Sequence, residues 1–413
     1  MKIKISLIVS IIFYFTFCSC RSETPVEDQM QKILDKGIAK YDVNGVSATV
    51  IFPDGKIWNG VSGISHDTVS IKPNMLFAIG SVTKNFIAAL TLTLAEENVL
   101  SLNDPISRWL PTYPYVDNAI TIKQLLNHTS GLYMFWENQL IWDDLKKDRT
   151  KYWTPEDVLE YIKEPYFKAG DGWRYSNTNY LLLAMIINKA TGSNLSTELK
   201  KRFCQPLGIT DLYISQEESI PPHQAHVYGD NFQFGESIRD ITFLPRTSHE
   251  SIGYGSSGIF TTSENLARWS HALFEGEILK EQSLTKMLDF VEIRPIANMR
   301  AYGLGVEVYI RQFSWGKRAI GHGGGNIGTT TYMVYFPEYH VSVVVMINAF
   351  PNKAADVITT GLSRVVLNDL KALGISQYIL PYFDFYRFGY IAIISISIWI
   401  VVIVYKIRRK RKK

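Results

Sequence analysis

A serine followed three residues later by a lysine at the start of a helix can carry out acyl transfer. The spacing puts the amine on the same helix face one turn on, where it can take the hydroxyl proton, and the helix N-terminus favours developing negative charge. The chain holds this pattern three times, as Ser81-Val-Thr-Lys84, Ser283-Leu-Thr-Lys286 and Ser314-Trp-Gly-Lys317. Only Ser81 follows a strand-like apolar run, Met75-Leu-Phe-Ala-Ile79, and a Gly80 hinge, ahead of a helix with Phe86, Ile87, Leu90 and Leu94 on one face. A solvated helix face accounts for Ser283 and a hairpin turn for Ser314. Ser81 is also followed, in order, by Tyr175-Ser-Asn177, 94 residues on, and by His322-Gly-Gly, 147 residues beyond that.

Other chemistries fail on context. Gly323-Gly-Gly325-Asn-Ile-Gly328 fits a dinucleotide fingerprint by letter, but strand formers (Thr329-Thr-Thr-Tyr-Met-Val-Tyr335) follow where a helix is required. His322-Gly-Gly-Gly325 fits the oxyanion segment of α/β-hydrolase lipases, yet no G-x-S-x-G elbow exists anywhere in the chain. His223-Gln-Ala-His226 lies in a Pro- and Gly-flanked loop rather than on a zinc helix, and His128 in a turn reads as structural. Cys204 reads as a buried small hydrophobe, and Cys18 and Cys20 fall in the leader, so neither a disulfide framework nor a metal site is expected.

The elements that must position Ser81, Tyr175 and His322 come in blocks. Val46-Ser-Ala-Thr-Val-Ile-Phe52, an Asp54-Gly55 turn and Ile57-Trp-Asn-Gly-Val61 predict a β-hairpin. Matching strands are expected over Leu304 to Ile310, Thr329 to Phe336 and Val341 to Asn348. Between them the chain reads as helices and loops. Thr154-Pro-Glu-Asp157 opens one helix, Tyr180 to Thr191 forms an apolar one closed by Gly192, and Ser263-Glu-Asn-Leu266 opens a third. An antiparallel sheet drawn from both ends of a domain, flanked by helices and joined to a mainly helical lobe, is a two-lobed α+β fold.

With 46% hydrophobic and 20% charged residues, the 413-residue chain has the composition of a folded protein with a sizeable core, which excludes disorder over most of its length. The formal net charge of +4 is a tail effect. Seven cations crowd the last eight residues, 406–413, and the remainder is slightly acidic, so nucleic acid is not an expected partner.

Lys2 and Lys4 before the apolar run Ile5 to Phe17 predict an export signal over 1–20, and Phe17-Cys18-Ser19-Cys20 resembles a relaxed lipobox. Phe388 to Tyr405 is an uncharged run between Arg387 and Lys406, long enough for about 27 Å of helix, which predicts a C-terminal transmembrane helix over 388–405 with a cytoplasmic basic tail. The body, 27–370, would then sit outside the cytoplasm, periplasmic or on the cell surface, anchored through that helix.

Gly80-Ser-Val-Thr-Lys84, Leu125-Leu-Asn-His-Thr-Ser-Gly-Leu132, Tyr175-Ser-Asn-Thr-Asn-Tyr180, Gly255-Ser-Ser-Gly258 and Gly321-His-Gly-Gly324 together resemble the serine β-lactamase and penicillin-binding superfamily, in its class C β-lactamase, DD-peptidase and esterase branch. The resemblance runs from about Gln29 to Ala349. It implies the β-lactamase/transpeptidase-like fold and a serine hydrolase that works without a cofactor, through a covalent acyl-serine, on a peptide, amide or ester carbonyl. Ser81 would be the nucleophile, and Lys84 or the Tyr175 phenolate the base, a choice the residues leave open. Tyr175 would also protonate the leaving group, and Asn177 would bond the substrate amide and Lys84. His322, Gly323, Gly324 and Gly325 would line the substrate and oxyanion side, with the backbone N–H groups of Ser81 and Gly325 holding the oxyanion. The third motif has His322 where many relatives carry lysine. A neutral imidazole grips a carboxylate weakly near pH 7, so substrates without an obligatory carboxylate are expected. The competing expectation is a penicillin-binding sensor acylated without turnover, for which the short basic tail holds no effector domain.

Overall fold

A computed structural model describes residues 24–229, 239–296, 299–309, 313 and 316–372. Nine strands form one antiparallel sheet: β1 (Gly45–Ile51), β2 (Ile57–His66), β3 (Val69–Ser70), β4 (Val291–Ile296), β5 (Met299–Tyr302), β6 (Glu307–Tyr309), β7 (Ala319–Asn326), β8 (Thr329–Phe336) and β9 (Val341–Ile347). Their order is β3-β2-β1-β9-β8-β7-β6-β5-β4, so strands from the two ends of the domain meet at β1 and β9, in the register Val46 opposite Ile347. The hairpin β1–β2 turns at Gly55, whose φ of +81° is open to glycine without a Cβ clash.

Helices cover both faces, and this is why every residue of β1 and β9 is buried. Val46, Ala48 and Val50 pack with Met30 and Leu34 of α1 (Val26–Tyr41) and with Ile358, Leu362 and Val366 of α5 (Ala354–Ala372). On the other face Met333, Val344 and Met346 meet Leu266, Trp269 and Leu273 of α4 (Ser263–Phe274). Ser47 and Thr49 point the same way, and the Ser263 hydroxyl lies 2.9 Å from each, so the polar atoms of the strand are paired where they are buried.

The helical lobe is built on α2 (Thr83–Glu96) and α3 (Asn177–Thr191). The one apolar face expected of α2 is too narrow a description. Every residue from Thr83 to Leu92 is buried, because the sheet, α3 and α4 enclose the helix, and Trp269 stacks on Phe86 at 4.0 Å. Helix α3 begins at Asn177, earlier than the apolar pattern from Tyr180 suggested, and ends at Gly192 with φ +67°.

The two-lobed α+β fold is as expected, but none of its described helices is the expected membrane helix. Among the described residues no helix is long and apolar enough to cross a membrane. The last of them, α5, carries Asp356, Arg364, Asp369 and Lys371 and packs as an amphipathic helix on α1 and the sheet. The segments 1–20, 388–405 and 406–413 lie outside the described residues.

Candidate active site

Ser81 stands in a 3₁₀ turn (Gly80–Val82) that runs directly into α2, so Lys84 follows it one turn later at the buried end of the helix. Lys84 is 0% exposed. Its Nζ lies 3.0 Å from Ser81 Oγ and donates to the Ser256 carbonyl at 2.9 Å. Burial drives the Lys84 pKa well below the ordinary lysine value, against the opposing charge of Glu307. The amine is therefore held ready to accept a proton. The rings of Tyr175 and Tyr180, 4.9 and 5.6 Å from Nζ, offer their faces to the cation once it forms.

Tyr175 precedes α3 by two residues, and the Ser81 hydroxyl beside it favours its ionised form. Burial raises its pKa well above that of a free tyrosine, with Glu307 adding to the rise, so it rests as a phenol rather than a phenolate. The loop carrying it is held by His128. That residue adopts φ +61°, a left-handed backbone costly for a side chain with a Cβ. His128 Nδ1 accepts from the Ser176 N–H at 3.2 Å and from the Asn179 amide at 2.8 Å, since the Asn179 oxygen already takes the Ser130 hydroxyl at 2.6 Å. Two donors on Nδ1 place the ring proton on Nε2. Replacing His128 by alanine strands both donors and opens a cavity beneath Tyr175, Tyr180 and Tyr302. We expect His128→Ala to lose about 2–4 kcal/mol of stability. Urea unfolding measures this, and a loss below about 0.5 kcal/mol would show that the loop does not depend on the imidazole.

The third wall is β7. Its alternation sends Ile320 and His322 into the lobe side, and the glycines around them let the strand press against the serine turn. A Cβ on Gly324 would lie 2.0 Å from the Ile79 carbonyl, and one on Gly80, at φ +53°, 2.4 Å from the Gly325 carbonyl. The backbone at Ser81 is thereby brought against the backbone at Gly325. His322 is buried, with Nε2 3.0 Å from the Tyr302 hydroxyl and Nδ1 2.6 Å from the Gly323 carbonyl. Burial lowers its pKa, Lys84 adds to the effect and Glu307 opposes it.

A family model described as Beta-lactamase matches residues 30–366, which takes in most of α1, the sheet, the serine turn and most of α5. The chain belongs to the Beta-lactamase family. Among its curated relatives, penicillin-binding protein 4* of Bacillus subtilis (strain 168) is 27% identical over 292 residues, covering 67% of this chain and 62% of the relative. The putative penicillin-binding protein PbpX of the same strain is 29% identical over 218 residues, covering 52% and 50%. The chain thus spans about half to three fifths of the length of these relatives. Two solved structures are similar over nearly their full length. A D-amino acid amidase from Ochrobactrum anthropi SV3 shares 27% identity at a TM-score of 0.71, covering 85% of this chain and 100% of that one. A D-stereospecific amidohydrolase from Streptomyces sp. shares 27% at 0.71, covering 83% and 98%.

Within this Beta-lactamase family domain Ser81, Lys84 and Tyr175 are brought together, with His322 beside Tyr175 at 6.4 Å between ring centroids. Asn177 departs from expectation. Its Oδ1 is buried without a hydrogen-bond partner, and Lys84 turns to the Ser256 carbonyl instead. Ser256 lies in Gly255-Ser-Ser-Gly258, a stretch marked by resemblance but given no role, because a carbonyl leaves no trace in residue type. Ser283 lies on a short helix away from these partners and Ser314 outside the described residues. Cys204 is buried and its thiol pushed up to about 12, which keeps it from acting as a thiolate. His226 pairs with Asp240 at 2.7 Å, and among the described residues no group of three His, Cys, Asp or Glu could hold a metal ion.

Proposed function

We propose that this protein is a serine hydrolase that cleaves an amide or ester carbonyl through an acyl-serine at Ser81. The observation that carries this reading is the buried Lys84 amine 3.0 Å from the Ser81 hydroxyl, with a pKa well below the ordinary lysine value. The lowered Lys84 pKa and the raised Tyr175 pKa support lysine as the base. Lys84 takes the Ser81 proton as Oγ bonds to the carbonyl carbon, and the oxyanion is held between the N–H groups of Ser81 and Gly325. The carbon–nitrogen or carbon–oxygen bond then breaks, and the proton passes from Lys84 through Tyr175 to the leaving group. Water, giving its proton to Lys84, attacks the ester, and Lys84 returns that proton to Ser81 Oγ as the carbon–oxygen bond breaks, releasing the acid and free Ser81. The amide substrates named for the two structural relatives support amides, and D-amino-acid amides among them, as the class to try first.

The test is the pH dependence of kcat/KM for a neutral ester. A base whose pKa is lowered by burial is active above that value, so the rate should climb on the acid side and level off below the ~10.4 of an ordinary lysine. A rate still climbing tenfold per pH unit between pH 8 and pH 10 would mean that Lys84 rests as an ordinary ammonium.

A further inference from the structure

Charge on the leaving-group side of the cleft comes from a residue that no motif marks. Tyr175 hands the proton to the departing group, so that group lies on the Tyr175 side, where the His322 ring stands. Glu307, on β6 opposite Gly321, reaches the same place. Its Oε2 accepts the Gly323 N–H at 3.0 Å and the Tyr309 hydroxyl. Its Oε1 lies 3.7 Å from His322 Nδ1, but that nitrogen gives its hydrogen to the Gly323 carbonyl at 2.6 Å. One carboxylate oxygen is therefore held rigidly and the other has no short donor, and the side chain keeps 14% of its surface exposed. Among the described residues the one basic group within 4.0 Å of this carboxylate is His322, whose Nδ1 is turned to the Gly323 carbonyl.

We propose that Glu307 makes the leaving-group side of this cleft select for an ammonium and against a carboxylate. This rests on the acyl-serine reading above and sharpens its substrate class to amides and esters whose departing amine or alcohol carries a positive charge a few bonds from the scissile carbonyl. The reason is Coulombic: a second anion beside Glu307 is repelled in a site with little water, and a cation there gains the donor-free oxygen as a partner. It gives the weak carboxylate grip of a neutral His322 a stronger cause, since an anion stands beside it.

The experiment uses three substrates with one acyl group and one scissile amide: N-acetyl-D-Ala-D-Ala, its C-terminal carboxamide, and the analogue in which an aminomethyl group replaces the terminal carboxylate. Wild-type kcat/KM should rise from carboxylate to carboxamide to ammonium by about tenfold per step. In Glu307→Gln, which keeps the shape and loses the charge, the ratio of the ammonium to the carboxylate substrate should collapse towards one. A wild-type preference for the carboxylate substrate, or equal rates for all three, overturns the proposal while leaving the Ser81 reading in place. An unchanged ratio in Glu307→Gln overturns the role of Glu307. Cleavage of none of the three, with Ser81 unreactive towards a fluorophosphonate, overturns both.

Discussion

Ser81→Ala is expected to lower kcat/KM for an activated ester by ~10³-fold or more, with the fold unchanged. Among the described residues this hydroxyl is the one that the geometry equips as a nucleophile, with the Lys84 amine 3.0 Å away and the Tyr175 ring 4.9 Å from that amine. Alanine at this position removes Oγ and one partner of Lys84, whose second partner, the Ser256 carbonyl, still holds it at 2.9 Å. Stability should therefore move little, and circular dichroism with a urea titration separates lost chemistry from lost fold. A residual rate within tenfold of wild type would place the nucleophile elsewhere.

Lys84→Met and Tyr175→Phe are each expected to lower kcat by ~10²-fold or more, because the two groups pass one proton between Ser81 and the leaving group. If they act as one relay, the double variant should cost much less than the product of the single losses. The rings support a physical coupling as well: Lys84 Nζ sits 4.9 Å from the Tyr175 ring, so the cation formed in the reaction leans on the phenol that must next receive help from it. Lys84→Met also removes a donor from the buried Ser256 carbonyl, so its stability should be measured beside its kinetics. Full additivity of the two losses would show that they serve separate steps.

How much of this was legible in the sequence follows from the kind of signal each part leaves. Ser81 and Lys84 are found by spacing, since a helix brings i and i+3 to one face whatever surrounds it. Tyr175 and His322 needed the order of motifs, and their meeting at one point depends on a sheet assembled from both ends of the domain. The strand β7 is missing from the expected strands, because Gly321, Gly323, Gly324 and Gly325 lack the branched side chains that mark strands, although its ladder to β8 runs unbroken from Ile320 to Asn326. Glu307 and Tyr302 were invisible. A lone carboxylate and a tyrosine on the short strands β6 and β5 carry no local pattern, and only the fold places them against His322. His128, read as structural, lies buried among Tyr175, Tyr180 and Tyr302, with its Nδ1 bracing the loop that carries Tyr175. The membrane helix expected over 388–405 rested on apolar length and the cations that follow it, whereas α5, the last helix among the described residues, carries charged positions that suit it to the domain surface.

The central claim is that one serine forms the covalent intermediate, and the most direct measurement is to find the adduct. A fluorophosphonate or fluorescent penicillin should label the protein, and peptide mass spectrometry should place the added mass on the peptide containing Ser81, at one equivalent per chain, with no labelling in Ser81→Ala. An adduct on any other residue, or labelling that persists in Ser81→Ala, would contradict it.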